Sequence, residues 1–271
     1  MPSAAVANAR LFHQLHHGDL LHLANAWDAG SARVIESAGA KAVATTSAGV
    51  AWAHGYADGN HLPVPVLAAT VAEITRVIRV PLSVDMEGGY SSDPVQVGIN
   101  VGDIVGAGAV GINLEDAMGD PGLLCAKIEQ ARRAAGRLGI ELFVNARIDV
   151  YLRNTVRPER RLEEALARAE RYRAAGADGI FLPGLMDAAD IRTAASSVSL
   201  PLNVMARPGL PAATELKALG ARRLSAGSGI PEVVYGRIAT MASAFLRDGV
   251  SASVTEGAMP YLGINALMSV R

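Results

Sequence analysis

Short β-rich runs alternate with helical runs along the whole chain, and one phrase recurs where helices hand over to strands. Ala38-Gly39-Ala40, Ala107-Gly108-Ala109, Ala175-Gly176-Ala177 and Leu219-Gly220-Ala221 each put a glycine just past a helix end, where a left-handed C′ residue stops the helix. The candidate strands are Leu20–Asn25, Ala42–Ser47, Pro81–Asp85, Val110–Glu115, Glu141–Ala146, Gly179–Pro183, Pro201–Met205 and Arg223–Ala226. Helical periodicity fills the intervals, most clearly over Arg160–Ala175 with its Leu162, Leu166 and Ala169 stripe. Eight β-then-α units with short joints predict an α/β fold, a parallel sheet closed into a single (β/α)8 TIM-type barrel. An open doubly wound sheet is the alternative, and the lack of a Gly-x-Gly-x-x-Gly after the first strand weighs against it.

The 271 residues, half of them apolar, suit one large barrel. No stretch approaches the roughly 20 apolar residues of a membrane helix, and the leading segment has no basic region followed by an apolar one. One cysteine, Cys125, cannot form an intramolecular disulfide, which fits a cytoplasmic protein. With 25 basic against 26 acidic side chains, neither nucleic acid nor an anionic membrane is an expected partner, and a small ligand is.

Barrel chemistry collects at the C-terminal ends of the strands. Those ends read Asn25-Ala26-Trp27-Asp28, Thr45-Thr46-Ser47, Asp85-Met86-Glu87, Asn113-Leu114-Glu115-Asp116, Asn145-Ala146-Arg147, Pro183-Gly184, Asn203 and Ser225-Ala226-Gly227. Carboxylates on neighbouring strand ends are costly unless compensated. Oxygen ligands without nearby Cys or His pairs favour a hard cation, magnesium with manganese as a substitute. Asp85 is the expected direct ligand, with Glu87 and Glu115 holding metal-bound waters. Arg147 faces the same mouth with a planar fork suited to a substrate carboxylate; an ion pair with Glu115 or Asp149 is the structural alternative. Thr46, Ser47 and Ala48 form a strand-to-helix turn whose N–H groups can receive an anion.

Absences narrow the chemistry. The three lysines are Lys41, Lys127 and Lys217; none ends a strand, so Schiff-base chemistry is not expected. All six histidines precede residue 62, leaving His54 and His61 as the imidazoles near the mouth. His13, His16 and His17 are read as surface residues of a leading helix, since no third metal ligand accompanies them. Neither Gly-x-Ser-x-Gly nor His-Glu-x-x-His occurs.

Taken in order, the strand-end runs resemble the isocitrate lyase/phosphoenolpyruvate mutase superfamily over about residues 10–270. The resemblance rests on Asn25-Ala26-Trp27-Asp28, Thr45-Thr46-Ser47-Ala48-Gly49 followed by Gly55-Tyr56-Ala57-Asp58-Gly59, Asp85-Met86-Glu87-Gly88-Gly89-Tyr90, Gly111-Ile112-Asn113-Leu114-Glu115-Asp116 and Asn145-Ala146-Arg147-Ile148-Asp149. It implies that Asp85 binds magnesium directly, that Glu87, Asp58 and Glu115 bind it through water, and that Arg147 holds substrate carboxylate. It also implies substrate contacts from the backbone at Thr46, Ser47 and Ala48 and from Asn113 and Asn203. A homotetramer or dimer is implied too, its last helices, a C-terminal extension over about residues 231–271, exchanged between subunits.

Two departures bear on the reaction. Lyases of this superfamily carry a Lys-[Lys/Arg]-Cys-Gly-His loop, whereas this chain reads Glu115-Asp116-Ala117-Met118-Gly119-Asp120-Pro121 and reaches Cys125 only between Leu124 and Ala126. Cys125 is therefore read as a buried packing residue. The sixth strand ends Phe181-Leu182-Pro183-Gly184, where the lyases have a glutamate. The expectation is a magnesium-dependent lyase that breaks a C–C bond of a small 2-oxo or 2-hydroxy acid through an enolate. Alternatives are C–P chemistry of the phosphonomutase or phosphonopyruvate hydrolase kind, a 2-oxo-acid-binding protein without turnover, and a sugar-phosphate barrel enzyme using Pro208-Gly209 and Gly227-Ser228-Gly229.

Overall fold

The computed structural model describes residues 4–153 and 155–269. Its elements in chain order are α1 (Ala4–His17), β1 (Leu21–Leu23), β2 (Asn25–Ala26), α2 (Ala29–Ser37), β3 (Val43–Thr45), α3 (Ser47–Ala53), α4 (Val64–Val77), β4 (Leu82–Asp85), α5 (Pro94–Gly106), β5 (Gly111–Glu115) and α6 (Pro121–Arg137). There follow β6 (Phe143–Arg147), α7 (Arg161–Ala174), β7 (Gly179–Phe181), α8 (Ala188–Ser197), β8 (Leu202–Met205), α9 (Ala213–Ala218), β9 (Arg223–Ser225), α10 (Gly229–Asp248), α11 (Ala252–Thr255) and α12 (Tyr261–Met268).

Every ladder is parallel and the order is β1-β9-β8-β7-β6-β5-β4-β3-β2. The two edge strands are halves of the one expected over Leu20–Asn25. β1 pairs with β9, Leu23 opposite Ser225, while β2 pairs with β3, Asn25 opposite Ala44. A single broken strand thus joins both edges, and the sheet is the expected TIM-type barrel. Asn25 spans the break: its Nδ2 donates to the Thr45 carbonyl at 2.7 Å and its Oδ1 accepts from Gly227 N at 2.9 Å. Gly39, Gly108, Gly176 and Gly220 have φ of +97°, +109°, +104° and +98°, the left-handed geometry that the recurring phrase predicts.

Apolar side chains pack in two places. The larger cluster lies between the strands and the surrounding helices, with Ile112, Val144, Ile180 and Val204 facing outward from the sheet. The smaller one fills the barrel's N-terminal end, where α1 lies across the base and inserts Phe12 against Phe143, Leu21 and Ala44. Gly111 permits this approach, because a Cβ there would stand 2.5 Å from Phe12 Cε1. His16 belongs to this plug and corrects the surface reading. It is 1% exposed, stacks on Phe143 with centroids 4.0 Å apart, and bonds through Nδ1 to the Phe12 carbonyl at 2.7 Å. Ala9, Phe12 and His16 share one face of the helix, and that face closes the barrel instead of meeting solvent.

Beyond β9 the chain leaves the barrel. Along α10 Val233, Ile238, Phe245 and Leu246 are exposed, Leu246 at 83%, and α12 returns to α2, where Arg33 Nε donates to the Leu267 carbonyl at 3.0 Å. No helix among the described residues is long and apolar enough to cross a membrane.

Candidate active site

The C-terminal mouth of the barrel gathers most of the residues singled out from sequence. Asp85 ends β4, Glu115 ends β5 and Arg147 ends β6, with Asp85 opposite Asn113 and Glu115 opposite Arg147 in the ladder. Period-2 alternation along parallel strands sends these side chains to the inside. Backbone donors converge on Asp85: its carboxylate accepts from the N–H of Ser47, the first residue of α3, and from Glu87 N at 3.4 Å. Thr46 is the N-cap of α3 and Ala48 its second residue, so the expected turn exists and faces the carboxylate.

The loop after β4 is wound tightly. Glu87 and Tyr90 have φ of +49° and +59°, conformations that cost a non-glycine residue on the order of 1 kcal/mol or more. What holds them is a set of hydrogen bonds to Asn60. Asn60 N–H donates to Glu87 Oε2, and Tyr90 N donates to Asn60 Oδ1 at 3.1 Å. Tyr90 Oη adds a bond to Glu87 Oε1 at 3.1 Å. Lys127 reaches in from α6 and donates to the Gly88 carbonyl at 2.6 Å. Asp58 is exposed in the loop that Asn60 anchors, and its charge acts on Asp85 and Glu87.

Crowding of like charge shows in the titration of the group. Burial raises Asp85 and Glu87 above the usual carboxylate range, with Asp58 adding to both. Burial pushes Glu115 up to about 8, against the pull of Arg147 and with the help of Asp85, Asp149 and Glu87. The one guanidinium among them is divided. Arg147 Nη1 meets Glu115 Oε2 at 2.6 Å, while Nε and Nη2 meet Asp149 Oδ1 and Oδ2 at 2.7 and 3.2 Å. Three of its five N–H groups are thereby engaged, and each terminal nitrogen keeps one free. Both ion pairs weighed from the sequence are present, and a substrate carboxylate would meet what remains.

Other residues fall elsewhere. Asn113 is 5% exposed just below Glu115. Asn203 is 1% exposed and donates to the Val204 carbonyl at 2.9 Å and Ser225 Oγ at 3.1 Å, so it lies inside the barrel below the mouth. His54 is tied to Thr70 Oγ1 at 2.9 Å on α4, and His61 is exposed. Cys125 is half-buried, not buried as expected, and its Sγ donates to the Arg171 carbonyl of α7 at 3.6 Å; burial raises its thiol. Asp28 caps α2 through Ser31 N at 2.6 Å. Asp116 binds Arg168 at 2.9 Å and Tyr172 Oη at 2.8 Å and accepts from Asp149 N at 3.2 Å. A cavity of about 810 Å³ opens at the opposite, N-terminal end beside Leu15, His22, Ile35 and Lys41, with Asp19 the one carboxylate in its lining.

Asn60 and Lys127 are the functional neighbours that sequence reasoning passes over. Lys127 lies in a helix, as read, but its four-carbon stem carries Nζ to the mouth loop. Nothing in the run Asp58-Gly59-Asn60 marks Asn60 as the clamp.

Among the described residues no three His, Cys, Asp or Glu side chains are grouped closely enough to hold a metal by themselves.

Comparison with known proteins bears on this geometry. The family model described as phosphoenolpyruvate phosphomutase matches residues 12–246. An uncharacterized protein of Mycobacterium tuberculosis is 36% identical over 222 residues, 80% of this chain and 81% of that protein. An oxaloacetate decarboxylase of Paraburkholderia xenovorans is 31% identical over 213 residues, 73% of this chain and 68% of that protein. A solved structure of a candidate phosphonomutase from Burkholderia cenocepacia J2315 is 39% identical, with a TM-score of 0.82 over 87% of this chain and 99% of that one. By sequence, the chain belongs to the phosphoenolpyruvate phosphomutase family.

Proposed function

We propose that this protein is a magnesium-dependent lyase that cleaves a C–C bond of a small 2-oxo or 2-hydroxy acid, with oxaloacetate the first substrate to test. One observation carries the reading: Asp85, Glu87 and Glu115 are all driven toward protonation around a single, partly free guanidinium. Such a cluster is short of positive charge, and its all-oxygen donor set suits a hard divalent cation. Asp85 would hold it directly, with Asp58, Glu87 and Glu115 on its waters. Bound there, the cation supplies a Lewis acid for the 2-oxo oxygen.

The chain's own residues do the rest. The free N–H groups of Arg147 hold a substrate carboxylate, and the Thr46–Ala48 turn places N–H dipoles beside the developing oxyanion. Asn113 contributes a side-chain amide from below. Asn203 acts at most on the lower edge of the site. With oxaloacetate, the electron pair of the breaking C–C bond passes into the 2-oxo group as an enolate, carbon dioxide leaves, and one proton taken up at carbon completes pyruvate. The 31% identity to an oxaloacetate decarboxylase supports oxaloacetate as the first substrate to test. A C–P reading on phosphonopyruvate or phosphoenolpyruvate is favoured by the 39% identical structure.

The exposed apolar face of α10 supports an assembly in which the last helices of one copy cover a neighbour, a homotetramer or dimer. Light scattering of the purified protein tests it, and a monomer at micromolar concentration removes it.

The function is tested by incubating protein and magnesium with oxaloacetate, 2-methylisocitrate, 4-hydroxy-2-oxo acids, phosphonopyruvate and phosphoenolpyruvate and identifying products by mass spectrometry. Pyruvate and carbon dioxide from oxaloacetate support the reading. Turnover confined to the phosphorus compounds moves the protein to C–P chemistry. Oxalate binding without any turnover makes it a binding protein.

A further inference from the structure

The barrel interior beneath the mouth holds a charge that the proposed reaction has not used. Arg223, at the start of β9, is 1% exposed. Burial lowers its guanidinium to about 9 despite the opposing charge of Asp85. Among the described residues its Nε and Nη1 have no hydrogen-bond partner, and its Nη2 donates to Asn113 Oδ1 at 3.3 Å. An apolar side chain of similar volume would fill the space at lower cost, so a packing role does not account for an arginine.

An anion held by the N–H groups of these two nitrogens is the first alternative, and the neighbouring acceptors disfavour it. His16 Nδ1 lies 2.7 Å from the Phe12 carbonyl, which can only accept, so His16 Nε2 carries a lone pair. Both that atom and Asn203 Oδ1 are buried without a partner among the described residues. Two donors and two acceptors sealed in one interior suit bridging waters.

The contact with Asn113 has a directional consequence. Asn145 Nδ2 also donates to Asn113 Oδ1, at 2.9 Å, so two donors meet on that oxygen. The orientation of an amide is decided by its partners, and a guanidinium has donors only. Arg223 therefore fixes Oδ1 inward, and Asn113 Nδ2 has no acceptor among the described residues. The reverse orientation would set Nδ2 against two donors and turn Oδ1 toward Asp85, its neighbour in the ladder, and Glu115, two residues along the same strand.

We propose that Arg223 is a positioning residue: it locks the Asn113 amide so that Nδ2 faces the mouth as a donor to an oxygen of the bound 2-oxo acid. This rests on the reading of Asn113 as a substrate contact. Through that one amide, the buried arginine selects for an acceptor-rich ligand without touching it.

A double-mutant cycle on the full-length protein tests the assignment. Arg223→Met, Asn113→Ala and the double variant are compared for oxalate affinity in the presence of magnesium by calorimetry, for KM against kcat on the substrate found above, and for melting temperature. Arg223→Met is expected to weaken oxalate binding about tenfold or more in the parent, the scale of a hydrogen bond to a charged group, and to raise KM more than it lowers kcat. It is expected to do neither in the Asn113→Ala background. Arg223→Lys, which can still donate to Asn113 Oδ1, should recover part of the affinity, and it carries the same cycle if Arg223→Met does not fold. Equal effects of the arginine change in both backgrounds, or a lower melting temperature with unchanged affinity, would overturn the positioning role alone. If Asn113→Ala leaves oxalate affinity and KM unchanged, the substrate contact itself is wrong and the role of Arg223 falls with it.

Discussion

Arg147 and Asp149 stand two residues apart and meet side-on, Nε to Oδ1 at 2.7 Å and Nη2 to Oδ2 at 3.2 Å, with the Asp149 side chain wholly buried. This pair orients the guanidinium so that Nη1 meets Glu115 and the remaining N–H groups are left for a ligand. Arg147 is thus held by ion pairs on both sides, and in the proposed function its remaining N–H groups also take the ligand. Arg147→Ala would strip Glu115 of its ion pair and leave the buried Asp149 only the longer contact with Arg153 at 4.0 Å, and should cost about 3–5 kcal/mol of folding stability. Arg147→Lys keeps the charge without the fork and should weaken oxalate binding by roughly 1–3 kcal/mol. Urea unfolding and calorimetry on both variants check this, and unchanged oxalate affinity in Arg147→Lys would remove the residue from the ligand site.

Asp85 works against folding, and in the proposed function it works for binding. Because burial and Asp58 raise its folded pKa, the ionised form is disfavoured in the fold, and stability is lost as pH rises from the unfolded value through the higher folded one. Asp85→Asn should therefore leave the metal-free protein more stable at pH 7.5, by about 1 kcal/mol. It should also abolish the rise in melting temperature that magnesium and oxalate give the parent protein. A variant that still responds to magnesium and oxalate would show that the direct ligand lies elsewhere.

The barrel and its mouth were legible because periodicity and strand-end position are local signals. A side chain that ends a barrel strand in the inward register opens into the mouth, so Asp85, Glu115 and Arg147 can be placed by counting. The break in the first strand was not legible, since the Asn25 bonds that close it join residues 20 and 202 positions away. His16 looked like a surface residue because nothing local tells whether a leading helix lies along a barrel or across its base. Lys127 and Asn60 were missed for the same reason: each reaches the site from a distant segment.

Cys125 gives a clean test of the departure from the lyase motif. Its thiol bonds to the α7 backbone, and burial raises it, so little thiolate forms at neutral pH. Cys125→Ser should retain kcat within about threefold on the substrate identified by product analysis, well short of the roughly hundredfold effect of losing an acid/base group. A hundredfold loss in a folded variant would mean that the short loop still delivers a catalytic thiol.

His16 couples the barrel plug to pH. Burial foremost, then the charge of Arg223, lowers its pKa from 6.5 to about 3, so the folded protein keeps the ring neutral where the unfolded chain protonates it. The stabilisation is whole above pH 6.5 and is lost as pH falls toward 3, by about 1.4 kcal/mol per pH unit. Between pH 6.5 and 4.5 this single residue should therefore remove roughly 2–3 kcal/mol. Carboxylates titrate over part of the same window, so the comparison is with His16→Phe, which keeps an aromatic ring beside Phe143 and removes the titrating group. Urea unfolding at pH 7.5, 6.5, 5.5 and 4.5 should show the parent losing stability faster than the variant by about one proton's worth. Parallel slopes would mean that the imidazole accepts its proton in the folded state, which Arg223 nearby and the buried, unpartnered Nε2 both oppose.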